Sequence, residues 1–237
     1  MPAQKRPWIT GPRELLDHGL EHLQGNATDF DRRIALISID NAVELMIKTY
    51  LSQPSRALGL RIPRKRLEEI SGSFPDLLDA LEQYGKDRLG EIDLSDIEWF
   101  HRLRNELYHA GNGLTVEKQK VTVYAQIAEQ LFVNLFEIPP SKQSKPDTVG
   151  DFIRTISELQ NLGEELAKRD GITNAMGYQP SYLALTRRFS NYDRIRQFRN
   201  NLVHSIVRQS EADLQKFLSE LKTMLKKAQD ELASTAT

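Results

Sequence analysis

Apolar positions along this chain recur three and four residues apart, while the strict alternation of strands and the Asn-Gly or Asp-Gly hairpin turns are nearly absent. The pattern predicts an all-α protein. A first helix is expected over about 13–24 and a second over about 31–51. The second, "DFDRRIALISIDNAVELMIKTYL", is apolar around most of its circumference, which marks a central helix. Its polar stripe is Asp40, Asn41, Glu44 and Lys48, and "QPS" stops it. A third helix is expected from Pro63 to Tyr84, and a fourth from Ser95 to the glycines of "HAGNG". A long amphipathic fifth should span Thr115 to Glu137. The proline-rich stretch 138–147 reads as a connector. After it, Val149, Phe152, Ile153, Ile156, Leu159, Leu162 and Leu166 share one helical face. Residues 170–188 read as a loop with two short helical turns after Pro180. A helix follows from Ser190, and a last one covers about 211–232. The organisation expected is a helical domain over 1–137, a linker over 138–147 and a second helical domain over 148–237.

Two stretches of this chain repeat each other. "SDIEWFHRLRNELYH", residues 95–109, matches "SNYDRIRQFRNNLVH", residues 190–204, at five of fifteen positions. Ser95 and Ser190 read as N-caps, with Glu98 and Asp193 as acids suited to a helix start. Arg104, Asn105, Leu107 and His109 recur as Arg199, Asn200, Leu202 and His204. The next helix keeps the offset, with Thr115 and Ser210 as cap candidates, while the match fails upstream. An Arg-Asn-x-x-x-His hexad arises by chance in about one chain in a hundred of this length. Two copies in one longer frame therefore point to duplication.

Composition narrows the chemistry. The formal net charge is −1, so no global basic field advertises nucleic acid, and any polyanion site must come from local clusters. One cluster is 55–66, with five basic residues. The other is 187–199, where Arg187, Arg188, Arg194, Arg196 and Arg199 face one aspartate. The absence of cysteine excludes disulfides, a thiolate nucleophile and thiolate metal ligands. No signal-like segment and no run of about eighteen apolar residues occurs, so no membrane partner and a cytoplasmic location are expected. His18 and His22, one helical turn apart, could share a metal, yet no carboxylate at ligand spacing completes them, and no metal or cofactor is expected. His101 aligns with Arg196 in the repeat and reads as surface.

The repeated motif carries its own chemistry. Asn105 and His109 lie four apart on one helical face, and the long Arg104 side chain can bend toward the same edge. One motif then offers a planar cation, an orienting amide and a group that titrates near neutral pH. Attack of a 2′-hydroxyl on its own phosphodiester needs a base, an acid for the leaving 5′-oxygen and fixed cations for the added charge. One histidine cannot easily serve both sides of that in-line reaction, whereas two can.

Arg-x4-His with a polar residue after the arginine, on a helix of a small all-α bundle, resembles the HEPN superfamily (higher eukaryotes and prokaryotes nucleotide-binding). The resemblance is fuller over 31–137 than over 147–233. It implies two HEPN-like bundles in tandem, packed with pseudo-twofold symmetry. It also implies metal-independent endoribonuclease activity in a toxin or antiphage-defence setting. The catalytic residues would be Arg104, Asn105 and His109 with Arg199, Asn200 and His204, and Glu44 and Lys48 would match an upstream Glu-x3-Lys feature. Arg187, Arg188, Arg194 and Arg196 are expected to border the cleft and hold the RNA backbone, with Leu103, Leu107, Phe198 and Leu202 packed around the crossing motif helices. RNA is the expected partner, with an antitoxin or defence-system protein and a homodimer as further ones. Toxins paired with a nucleotidyltransferase antitoxin carry Tyr two residues after the His, where this chain has Gly111 and Ile206. Two arrangements stay open: both histidines of one chain flanking one phosphate, or each motif facing its counterpart in a second chain. A second functional class also stays open, a non-catalytic HEPN-like module binding RNA, a nucleotide or a protein partner as a regulatory subunit.

Overall fold

A computed structural model describes residues 7–53, 60, 62–109, 115–138, 147–174, 178–205 and 209–234. The described residues form ten α-helices and no strand. The chain divides into two compact units, residues 1–144 and 145–237, within the proline-rich connector. Residues 139–146 of that connector lie outside the described residues, as do 110–114, which take in both glycines of "HAGNG", and 54–59 and 61, which take in part of the first basic cluster.

The first unit holds α1 (Pro7–Glu21), α2 (Asp29–Leu51), α3 (Arg64–Ile70), α4 (Phe74–Leu89), α5 (Leu94–His109) and α6 (Lys118–Phe136). Helix α2 is its axis, with α1, α4, α5 and α6 packed around it. Leu36, Ile39, Val43, Met46 and Ile47 are fully buried, as the all-round apolar pattern requires. A capping box starts α2: the Asp31 amide donates to Thr28 Oγ1 at 3.2 Å, and the Thr28 amide donates to the Asp31 carboxylate at 2.9 Å. Gly19 sets the approach of α1 to α2, since a Cβ there would sit 2.7 Å from Ile39 Cγ1. Arg32 ties the chain before α6 to α2 by donating from Nε to the Val116 carbonyl at 2.8 Å.

Several boundaries differ from the sequence expectation. Helix α1 runs from Pro7 to Glu21, starting well before the expected residue 13, and its extra turns bury Ile9. The single helix expected after Pro63 is two, broken at 71–73. Ser73 caps α4 by accepting from the Asp76 amide at 3.2 Å, and Pro75 follows in its first turn. Neither Ser95 nor Ser190 is a cap. Ser95 lies inside α5 and donates its amide to the Asp93 carboxylate at 2.9 Å, so Asp93 takes the capping role. Thr115 precedes α6 without capping it, since Glu117 stands at the cap.

The second unit holds α7 (Thr148–Arg169), α8 (Pro180–Arg188), α9 (Tyr192–His204) and α10 (Glu211–Ser234). Helix α7 packs on α8 and α10. Its predicted apolar face is buried at Val149, Phe152, Ile153, Ile156, Leu159 and Leu166, with Leu162 half-buried. Gly163 plays the part of Gly19 here: a Cβ would meet Leu185 at 2.9 Å. Helix α9 begins after Asn191, whose amide is spent on Glu220 at 2.7 Å instead of capping. Ser210 does cap α10, accepting from the Asp213 amide at 3.1 Å. Phe198 of α9 packs within this unit, 4.4 Å from the ring of Phe217 and 5.5 Å from that of Phe152. Among the described residues, no helix is long and apolar enough to cross a membrane.

Candidate active site

In the first unit the site is built outward from a buried charge. Asp40 lies on α2 with no exposed surface. A carboxylate taken fully out of water must be matched by donors or it costs several kcal/mol, on the order of the penalty for an unpaired buried ion. Three side chains from two other helices supply them. Tyr124 of α6 donates its hydroxyl to Asp40 Oδ1 at 2.8 Å. His101 of α5 places Nδ1 2.9 Å from Oδ2, and against a carboxylate that nitrogen carries the hydrogen. Arg104 places Nε 3.1 Å from the same oxygen, an ion pair without hydrogen-bond alignment. Burial, reinforced by the adjacent Asp40 carboxylate, pushes the Tyr124 phenol well above its ordinary range. The ring of Phe100 stacks on Tyr124 at 4.4 Å, and Phe74 stacks on His101 at 3.7 Å. His101 is therefore not the surface residue that its alignment with Arg196 suggests; its side chain is 14% exposed.

The same network aims Arg104. Its Nη2 donates to Asn41 Oδ1 at 2.6 Å and its Nη1 to Asn105 Oδ1 at 2.9 Å. Each terminal nitrogen keeps a second N–H outside these bonds, because a guanidinium carries five in a rigid fork. Asn105 is thereby locked to the arginine it follows. His109 is exposed at the end of α5, with the ring of Tyr108 edge-on at 5.9 Å. Leu103 and Leu107 are half-buried. Glu44 and Lys48 form the ion pair that their i,i+4 spacing allows, at 2.5 Å, one turn along α2 from Asp40.

The second motif sits on α9. Arg199 is half-buried, while Asn200 and His204 are exposed, and Leu202 is buried. The basic cluster beside it is unequal. Arg187 is exposed. Arg188 is committed to carboxylates: its Nη2 donates to Asp170 at 2.6 Å and to Glu231 at 2.9 Å, and its Nε to Glu231 at 3.0 Å. Arg169 joins both acids. These arginines draw the Glu231 carboxyl down to about 2, Arg188 contributing most, and hold Asp170 below the ordinary range through Arg188 and then Arg169. Arg194 pairs with Glu220 at 3.0 Å, and Arg196 lies over the ring of Tyr182 at 5.0 Å. Positions 111 and 206, read against the Tyr of one toxin type, lie outside the described residues.

The paired histidines of α1 have other partners. His18 Nδ1 lies 3.2 Å from Ser38 Oγ, and His22 Nδ1 lies 3.5 Å from the capping carboxylate of Asp31. Sequence reasoning took Asp40 as part of a polar stripe and passed over Tyr124. The signal for Asp40 was present: Leu36, Ile37 and Val43 surround it at helical spacing on a helix apolar all round, so a charge there has to be buried. No protein-family model matches this chain, and neither a curated protein nor a solved structure matches it.

Proposed function

We propose that this protein is a cytoplasmic, metal-independent endoribonuclease whose two Arg-Asn-x-x-x-His motifs act together on one RNA phosphodiester. The observation that supports the reading is the preset Arg104. Asp40, Asn41 and Asn105 hold its guanidinium in place while an exposed histidine stands little more than one turn away. A cation fixed before substrate arrives pays no reorganisation when negative charge grows on the phosphate. In this reading Arg104 and Arg199 bind the phosphoryl oxygens and Asn105 and Asn200 orient the motif. One of His109 and His204 takes the 2′-hydroxyl proton, and the other protonates the leaving 5′-oxygen. A toxin or antiphage-defence role, with RNA and a controlling protein as partners, follows from the HEPN resemblance of the motif.

The experiment is incubation of the pure protein with total RNA in EDTA, followed by analysis of the ends. Cleavage leaving 2′,3′-cyclic phosphates is expected. Loss of activity in EDTA with rescue by Mg²⁺ or Mn²⁺ overturns the mechanism, and binding without cleavage favours the regulatory module. Mixing His109→Ala with His204→Ala protein then assigns the pairing, since activity restored on mixing means that the motifs meet between two chains.

A further inference from the structure

Tyr108 precedes His109 on α5 and is 71% exposed, although it is a large, partly apolar side chain. Helical geometry places it about 40° from Arg104, with Asn105 at about 100° and His109 at about 140°. The ring therefore stands between the arginine and the histidine on the face that carries the motif. The His109 ring lies 5.9 Å away at 80°, too steep to stack on the tyrosine, and most of the Tyr108 side chain meets solvent. The repeat shows that the helix does not demand an aromatic here. The matching position of the second motif is Val203, which is fully buried. The two motifs thus agree in the residues suited to a phosphate and differ in the residue suited to a base.

We infer that Tyr108 is a nucleobase platform: an unpaired base stacks on its ring while the adjoining phosphate lies against Arg104, Asn105 and His109. The inference rests on the proposed action on RNA and names the substrate class as single-stranded RNA. A base held inside a duplex has both faces occupied and cannot stack on a side chain. Stacking on an aromatic ring tolerates any base, so Tyr108 selects strandedness more than sequence. It also makes the site lopsided, with the base on one side of the cut held by the first motif and no aromatic at the equivalent place in the second.

The test uses the full chain and a fluorescently labelled oligoribonucleotide made uncleavable by 2′-O-methyl groups, offered single-stranded or as a duplex. Binding is read by anisotropy for the native protein, Tyr108→Ala, Tyr108→Phe and Tyr108→Trp. Tyr108→Ala is expected to weaken single-strand binding about 5- to 150-fold, the range of one lost base stack. Phe and Trp should retain it, and duplex binding should be weaker and indifferent to the substitution. Equal single-strand binding by Tyr108→Ala and the native protein overturns the platform, and if RNA is still cut with unchanged KM, the nuclease reading survives that failure. A native protein that binds through Tyr108 but never cuts supports the platform and overturns the nuclease. A native protein that neither binds nor cuts single-stranded RNA overturns both.

Discussion

Arg104 and Arg188 are both held by carboxylates, but on different terms. Asp40 beneath Arg104 is fully buried and shared with Tyr124 and His101. Glu231 and Asp170 around Arg188 are 39% and 28% exposed at the side chain, and they face water as well as the arginine. In the first case the ion pair is part of the core, and moving the arginine would strand a charge without solvent. In the second the same groups staple the ends of α7, α8 and α10 together, and water can replace any of them. The contrast separates a cation held over a buried carboxylate from cations that close a surface, and it weighs against Arg188 as a phosphate ligand despite its place in a basic cluster.

Substitutions can break that contrast at several strengths. The largest effect is expected at the histidines. His109→Ala and His204→Ala should each lower RNA cleavage by about 10²–10⁴-fold, with the double variant little worse than either. Both residues are exposed, so urea unfolding midpoints should stay put; independent, multiplying losses would show that the motifs act separately. Next comes Asp40→Ala, which removes the carboxylate shared by the buried Tyr124 and the half-buried His101 and Arg104. It should cost about 3–5 kcal/mol in urea unfolding, as does breaking other buried pairs. A loss no larger than that of a surface pair would mean that the network can be vacated at will.

A smaller effect is expected at Glu231. Its carboxyl is depressed in the folded state, so its contribution is present above the ordinary carboxylate pKa of 4.5 and fades as pH falls toward about 2. Glu231→Gln should lose about 0.2–1 kcal/mol at neutral pH and converge with the native protein in that acid window, followed by circular dichroism. A constant gap down to the lowest pH would assign the effect to packing. The smallest belongs to Glu44→Gln, which breaks an i,i+4 pair and should cost about 0.2–0.5 kcal/mol without changing cleavage. A collapse of cleavage instead would place Glu44 and Lys48 in the site.

Helical period made most of the fold legible, because Leu36, Val43 and Ile47 of α2 or Phe152, Ile156 and Leu159 of α7 can only be buried together on helices. The helix ends were harder to read. Ser95 and Ser190 look like caps, but a cap is decided by the φ and ψ of its own residue and by what else competes for its side chain, and Asp93 and Asn191 stand at those places. The motif residues were visible as a repeat, whereas the carboxylate that aims one of them was not. Asp40 is sixty-four residues from Arg104 in the chain, and only the packing of α2 against α5 and α6 brings His101, Arg104 and Tyr124 to it. The repeat itself misled at His101, since alignment with Arg196 carries no information about a burial that its own unit creates.

The phenol of Tyr124 offers a built-in clock. Tyr124 can give up its proton to alkaline buffer only when the packing over Asp40 opens, because its hydroxyl is buried, raised in pKa and already donated. After a jump to alkaline pH, the near-ultraviolet absorbance of tyrosinate should therefore include a delayed stage, shared with the buried Tyr50 and Tyr192. The part of that delay that Tyr124→Phe removes reports how often the first unit breathes, with no label attached to the protein.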